Sequence, residues 1–246
     1  MIIYPWPAGL QWSRMTPKGG QTVLGVSSSL TDYVQVVSAP TGLVAFDLEF
    51  NPSRGPIARA ARGLIMQLSG GADAVRFPWC DPDRMGNAYI NFNPTQSQLS
   101  NGVPWSQEQP WSDLQNWALS TPRATLSASA SKGATEIAIN VSEWNGKLDV
   151  GSVIGFDNQF GIYFVKWRSI ASSVATAKIW PPLRKAATSG DYVTFNPEIV
   201  MTLSSPGGAQ FSRGATHQEG LSLSLREVPD EVVRTYGERP DGTTFP

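Results

Sequence analysis

The sequence predicts a mainly β protein with one packed helix, in which a small β-barrel is inserted into a host sheet. Three observations lead there. The 246 residues include 23 Gly and 19 Pro, so turn formers recur too often for long helices. Period-2 alternation appears in several short runs, whereas a period near 3.6 is sustained convincingly once. Between Arg123 and Asn196, a stretch bracketed by Pro122 and Pro197, short strand-like runs follow one another with Gly, Asp, Asn or Ser between them.

Taken in order, "QTVLGV" and "TDYVQVV" read as two strands with Ser27, Ser28 and Ser29 as their turn. In "GLVAFDLEF", Val44, Phe46, Leu48 and Phe50 fall on one face and Asp47 and Glu49 on the other, the pattern of a half-buried strand. "PIARAARGLIMQLSGG" is the helix. Pro56 suits its first position, and Ile57, Ala61, Leu64, Ile65 and Leu68 share a face while Arg59, Arg62 and Gln67 face water. Gly70 and Gly71 end it in left-handed geometry. "AVRFPW" and "NAYINF" read as strands, residues Asn93 to Gln109 as a long exposed loop, and "EQPWSDLQNWAL" as a short helix.

The barrel strands are "TEIAINV", "GSVIGF", "GIYFVKW", "VATAKIW" and "DYVTF", after which "EIVMTL" and "LSLSLREV" return to the host. The chain therefore divides into a host domain of residues 1–122 and 197–228, an inserted barrel of 123–196, and a C-terminal tail of 229–246 expected to be loose or docked on a partner.

The composition excludes several chemistries. Nineteen basic against twenty acidic residues give a formal net charge of −1, which disfavours a nucleic-acid or anionic-membrane partner. No stretch approaches the length of a membrane span, and the N-terminus lacks the pattern of a secretory signal, so synthesis in the cytoplasm is expected. With a single cysteine, Cys80, neither an internal disulfide nor a multi-cysteine metal site is available. Asn140-Val141-Ser142 matches a glycosylation sequon by chance.

Nothing in the sequence matches GxSxG, HExxH, a phosphate-binding GxxxxGK[ST] or a dinucleotide fingerprint. His217, the only histidine, lies in the turn-rich "FSRGATHQEG" and reads as a loop residue. Asp47 and Glu49 stand side by side facing solvent, and Asp81 with Asp83 in "CDPDR" reads as a proline turn whose carboxylates bond their own backbone. No catalytic, cofactor-binding or metal-ligating residue is assigned, and the protein is not expected to be an enzyme. Trp105, Trp111 and Trp117 recur every six residues, a spacing that shares no helical face and suits anchoring of a long loop. An exposed indole row gripping host-surface glycans is the alternative, and it makes a carbohydrate-binding module the alternative function.

The order of elements resembles the distal tail protein family of long-tailed (siphovirus-type) bacteriophages. "ARAARGLIMQLSGGADAVRFP", "GATEIAIN", "LDVGSVIGFDNQFGIYFV", "IWPPLRKAATSGDYV", "EIVMTLSS" and "EGLSLSLREV" carry the resemblance, which covers most of the chain. It implies a tail-tube-like β-sandwich with one packed α-helix, and an inserted small β-barrel of OB-like or galectin-like type. It also implies a structural virion protein, a homohexameric ring at the distal end of the tail tube that joins the tube to the tail tip or baseplate hub. The implied partners are other copies of itself, the tail tube protein and the hub protein, with the tape-measure protein and DNA passing through the lumen. In these terms "PPLR" is a rigid corner: its prolines fix the exit from a strand, Leu183 plugs the barrel end, and Arg184 and Lys185 form a rim for a neighbouring protein.

Overall fold

A computed structural model describes residues 1–18, 23–28, 34–38, 42–79, 123–142, 148–214 and 217–245. The expected strand "NAYINF", the loop 93–109 and the helix in "EQPWSDLQNWAL" lie outside the described residues, as do Cys80, Asp81, Asp83, Trp105, Trp111, Trp117 and Pro122. The protein is mainly β. The host strands are β1 (Ile3–Pro5), β2 (Arg14–Lys18), β3 (Val23–Ser28), β4 (Val34–Ser38), β5 (Ala45–Phe50) and β6 (Ala74–Pro78) before the insertion. After it come β13 (Glu198–Leu203), β14 (Ala209–Arg213) and β15 (Gln218–Glu227). Among the described residues the α-helices are α1 (Gly55–Gln67) and α2 (Asp230–Tyr236).

The host sheet runs β1-β6-β13-β15-β5-β2, with β14 also paired to β15. β1 and β6 are parallel, and the other pairs are antiparallel. Its alternation is the one expected: Val44, Phe46, Leu48 and Phe50 are all buried, while Asp47 and Glu49 lie on the opposite face. Phe46 and Leu48 join Phe77, Ile199, Met201, Leu223 and Leu225 in one core. Trp6 and Trp12 close the side of this core, with ring centroids 5.0 and 4.8 Å from Phe77.

Helix α1 covers the same core with Ala61, Leu64 and Leu68, and Ile65 packs at its margin. Ile57 departs from the expected face. It sits in the first turn and is 44% exposed. Gly70 and Gly71 adopt φ of +68° and +103°, the left-handed stop that the sequence suggests.

Strand β13 is buried on both faces, and its Val200 points away from α1 into a second core with Ile3, Ala74, Val228, Val233 and Phe245. The last two belong to the C-terminal segment, which is not loose. Helix α2 and Phe245 pack on the sheet, and Glu238 bonds the N-terminus in both directions, Ile3 N–H to its carbonyl at 2.8 Å and its own N–H to Met1 O at 3.0 Å. Apolar spacing within "EVVRTY" is too short to announce this, since one buried Val233 per helix leaves no periodicity to read.

Strand β14 is missing from the sequence reading because "GGAQFSRG" lacks an apolar alternation. Structurally it continues β13 along the same edge of β15. Leu203 pairs with Leu225 and Ala209 with Leu223, so residues 204–208 loop out opposite Ser224 alone.

Strands β7 (Arg123–Leu126), β8 (Glu136–Asn140), β9 (Val153–Phe156), β10 (Tyr163–Ala171), β11 (Val174–Trp180) and β12 (Tyr192–Thr194) close on one another in the order β10-β11-β8-β7-β12-β9. Their inward side chains, among them Leu126, Ile139, Ile154, Tyr163, Val165 and Val193, make a core of their own. Leu183 lies in that core at 1% exposure. One wall is shared with the host: Val153 and Ile162 join the host core, and Phe164 and Trp180 pack against it. At the seam Gly155 faces Pro197, and a Cβ at Gly155 would fall on the Pro197 ring.

Helix packing yields a testable contrast. Leu64→Ala, which empties a fully buried position, is expected to cost about 2–5 kcal/mol in urea denaturation. Met66→Ala, at 69% exposure on the same helix, should stay within about 0.5 kcal/mol. Equal losses would overturn the assigned helix face.

Candidate functional site

The candidate acid pair on β5 takes part in the sheet surface instead of forming a catalytic centre. Asp47 pairs with Lys18 and accepts from Ser224 Oγ at 2.7 Å, and Glu49 lies 4.0 Å from Arg14. Hydrogen bonding from Lys18 holds the Asp47 carboxyl below the usual carboxylate range, with Ser224 adding to it against the opposing effect of burial. An acid held ionised by a cation is unsuited to proton exchange near neutrality. His217 sits between β14 and β15, where its carbonyl accepts from Gly214 N–H at 3.0 Å. Among the described residues no group of three His, Cys, Asp or Glu side chains is arranged to hold a metal ion. No helix among them is long and apolar enough to cross a membrane.

The most developed polar constellation lies elsewhere, at the joint between barrel and host. Glu227, the last residue of β15, is 2% exposed. Its carboxylate receives Arg184 Nε at 3.2 Å and Nη2 at 2.8 Å, a two-pronged grip, and Val44 N–H at 3.0 Å. The same Arg184 Nη2 donates to Gly42 O at 2.6 Å. Tyr163 Oη accepts from the Arg184 backbone N–H at 3.1 Å and donates to Gln159 Oε1 at 3.1 Å. Burial pushes the Tyr163 phenol well above its ordinary pKa, so it remains a neutral donor throughout the physiological range.

A second buried acid repeats the theme. Asp230, 2% exposed at the start of α2, accepts from Phe160 N–H at 2.8 Å and from Arg234 Nε at 2.8 Å. Arg234 also donates to Asn158 O, so the barrel's 158–160 turn is tied to α2 on both sides. A carboxylate of the host and one of the C-terminal helix thus hold two barrel loops.

This corrects the expectation for the "PPLR" corner. Arg184 is not a rim residue for a neighbour, because its guanidinium turns inward and its side chain is 18% exposed against a fully covered Glu227. Lys185 alone of the two stays exposed. Sequence reasoning missed Glu227 and Asp230 because each ends or opens an ordinary element, and burial of an acid leaves no mark on spacing. The one available signal was the arginine immediately after a buried leucine in a proline-fixed corner.

The three indoles proposed for sugar stacking, Trp105, Trp111 and Trp117, lie outside the described residues. No protein-family model matches the chain, and no curated protein matches it.

A buried, paired carboxylate loses heavily when its partner alone is removed. Arg184→Ala is therefore expected to cost about 3–5 kcal/mol in chemical denaturation, since Glu227 would be left covered without its partner. Arg76→Ala, which breaks the Arg76–Glu198 pair with side chains 42% and 45% exposed, should cost far less because solvent screens it. Similar losses for both would show that the joint is not stabilised through Arg184.

Proposed function

We propose that the protein is a structural virion subunit that works by self-assembly, without turnover. In this reading it forms a closed ring at the distal end of a long-tailed bacteriophage's tail tube, connecting the tube to the tail tip or baseplate hub. The observation that carries the reading is an incomplete sheet. Strands β3 and β4 pair with each other and with no other described strand. A two-stranded ribbon is marginal in water until something supports it.

The host sheet itself offers an open edge at β14. Among the described strands β14 pairs with β15 alone, which leaves Ala209–Arg213 with one unpaired edge, free of proline and carrying Phe211 at 41% exposure. The edge at β2 is different. It has Pro17 in mid-strand and charges matched to its neighbour through Arg14–Glu49 and Lys18–Asp47, devices that discourage further pairing. With the outer side of β1 taken by Glu238, a protected edge at β2 and a receptive one at β14 suit head-to-tail association of identical copies, which closes as a ring when the rotation allows. The resemblance to distal tail proteins supplies the count of six.

In the same reading the host is a tail-tube-like β-sandwich and the inserted barrel is OB-like or galectin-like. The tail tube protein, the hub protein, and the tape-measure protein and DNA in the lumen are its contacts, and the virion tail tip is its location. Light scattering of the purified chain together with electron microscopy tests this. Rings of identical subunits, or density of this size where tube meets tip, are expected. A strictly monomeric protein absent from purified virions would overturn it.

A further inference from the structure

We infer that the outer wall of the barrel carries a binding site for acidic saccharides, centred on Trp167. Strict alternation from the inward Val165, 1% exposed, would aim Trp167 back into the barrel core. A β-bulge prevents it. Val165 pairs with Ile179 and Trp167 with Lys178, so Lys166 is an extra residue in β10. Lys166 and Trp167 consequently both face outward, after which alternation resumes with Ile170 packed against the barrel core. Trp167 ends 47% exposed. The bulge thus takes a large apolar ring away from the core and sets a lysine beside it, an exchange that does nothing for barrel packing. Bulges recur beside binding sites because they re-aim side chains in this way.

Around Trp167 the wall is concave, with a cavity of about 310 Å³ whose lining includes Thr135, Lys166, Lys178, Trp180 and Pro182. Lys178 Nζ lies 5.3 Å from the Trp167 ring centroid. No acidic residue lines the cavity; Glu136 stands opposite Lys178 on β8 but outside the lining. The floor is held in place, since Trp180 and Pro182 begin the corner that Arg184 pins to Glu227. A firm floor keeps the site organised before a ligand arrives.

The chemistry of these groups selects the ligand. An indole face packs against the C–H face of a pyranose ring, two ammonium groups favour carboxylate or sulfate substituents, and a threonine hydroxyl can bond ring hydroxyls. The cavity is at the small end of ligand clefts, suited to about one or two sugar rings and too small to seat a folded partner. The site stands on one chain and does not depend on ring assembly. In a ring, several copies would act together and raise a weak affinity through multivalency.

Calorimetric titration of the full chain with oligogalacturonate, hyaluronan and alginate oligomers tests the proposal, with a maltooligosaccharide of equal length as neutral control and polyphosphate as charge control. At least one acidic oligomer should bind, with a preference of about tenfold over the neutral sugar, and Trp167→Ala should weaken it by about tenfold. Trp167→Tyr should recover most of the binding, and Lys166→Ala or Lys178→Ala should reduce its salt dependence. The recovery by Trp167→Tyr separates loss of the aromatic platform from any loss of folding. Absence of binding by all three acidic oligomers at millimolar concentration would overturn the site. So would acidic-oligomer binding that Trp167→Ala leaves unchanged, polyphosphate binding of equal strength that ignores Trp167→Ala, or a Trp167-dependent contact with a purified protein in place of sugar.

Discussion

The carboxylate of Glu227, buried at the end of β15, is the constraint on which the arrangement of the two halves depends. A buried charge is tolerated only with a partner and with its remaining lone pairs filled. Here the partner comes from the barrel, as Arg184, and the filling from the host, as Val44 N–H, while Gly42 O takes another guanidinium proton. These directional bonds constrain the 181–184 corner in position and rotation. Because Leu183 of that corner is packed in the barrel core, the constraint passes to the barrel as a body.

Apolar burial sets how closely the halves approach, and the polar joint sets how they are turned. Phe46, Trp79, Phe164 and Trp180 run across the seam with successive ring centroids 5.4, 5.9 and 6.0 Å apart. Such contacts are large in area but permissive in angle. The Arg184–Glu227 and Asp230–Phe160 bonds remove that freedom from two sides. A barrel fixed in this way presents its outer wall, with Trp167, in one orientation relative to the host sheet.

The C-terminal segment serves the opposite face. Without α2 and Phe245, the side of β13 bearing Val200 would be open, since α1 covers the other side only. Phe160, from the barrel turn bonded to Asp230, meets Phe245 at 5.3 Å between ring centroids, so the segment that seals the host also braces the insertion. Host, barrel and C-terminus therefore meet in one region, and the stability of each draws on the others.

By itself the sequence determined those features that rest on local rules. Alternation in Val44 to Phe50 assigned the buried face of β5, the spacing of Ala61, Leu64 and Leu68 assigned the packed side of α1, and Gly70-Gly71 marked its end, because strand period, helix period and left-handed φ are each decided within a few residues. Tertiary structure alone decided the rest. Arg184 turns inward because Glu227 waits some forty positions away in the chain, and the final segment folds back because β13 has a second face to cover. Trp167 faces outward because one extra residue in β10 reverses the alternation, and pairing with β11 is what accommodates that residue. In each of these cases the deciding partner lies on another element, and local periodicity carries no information about what a distant element will place opposite.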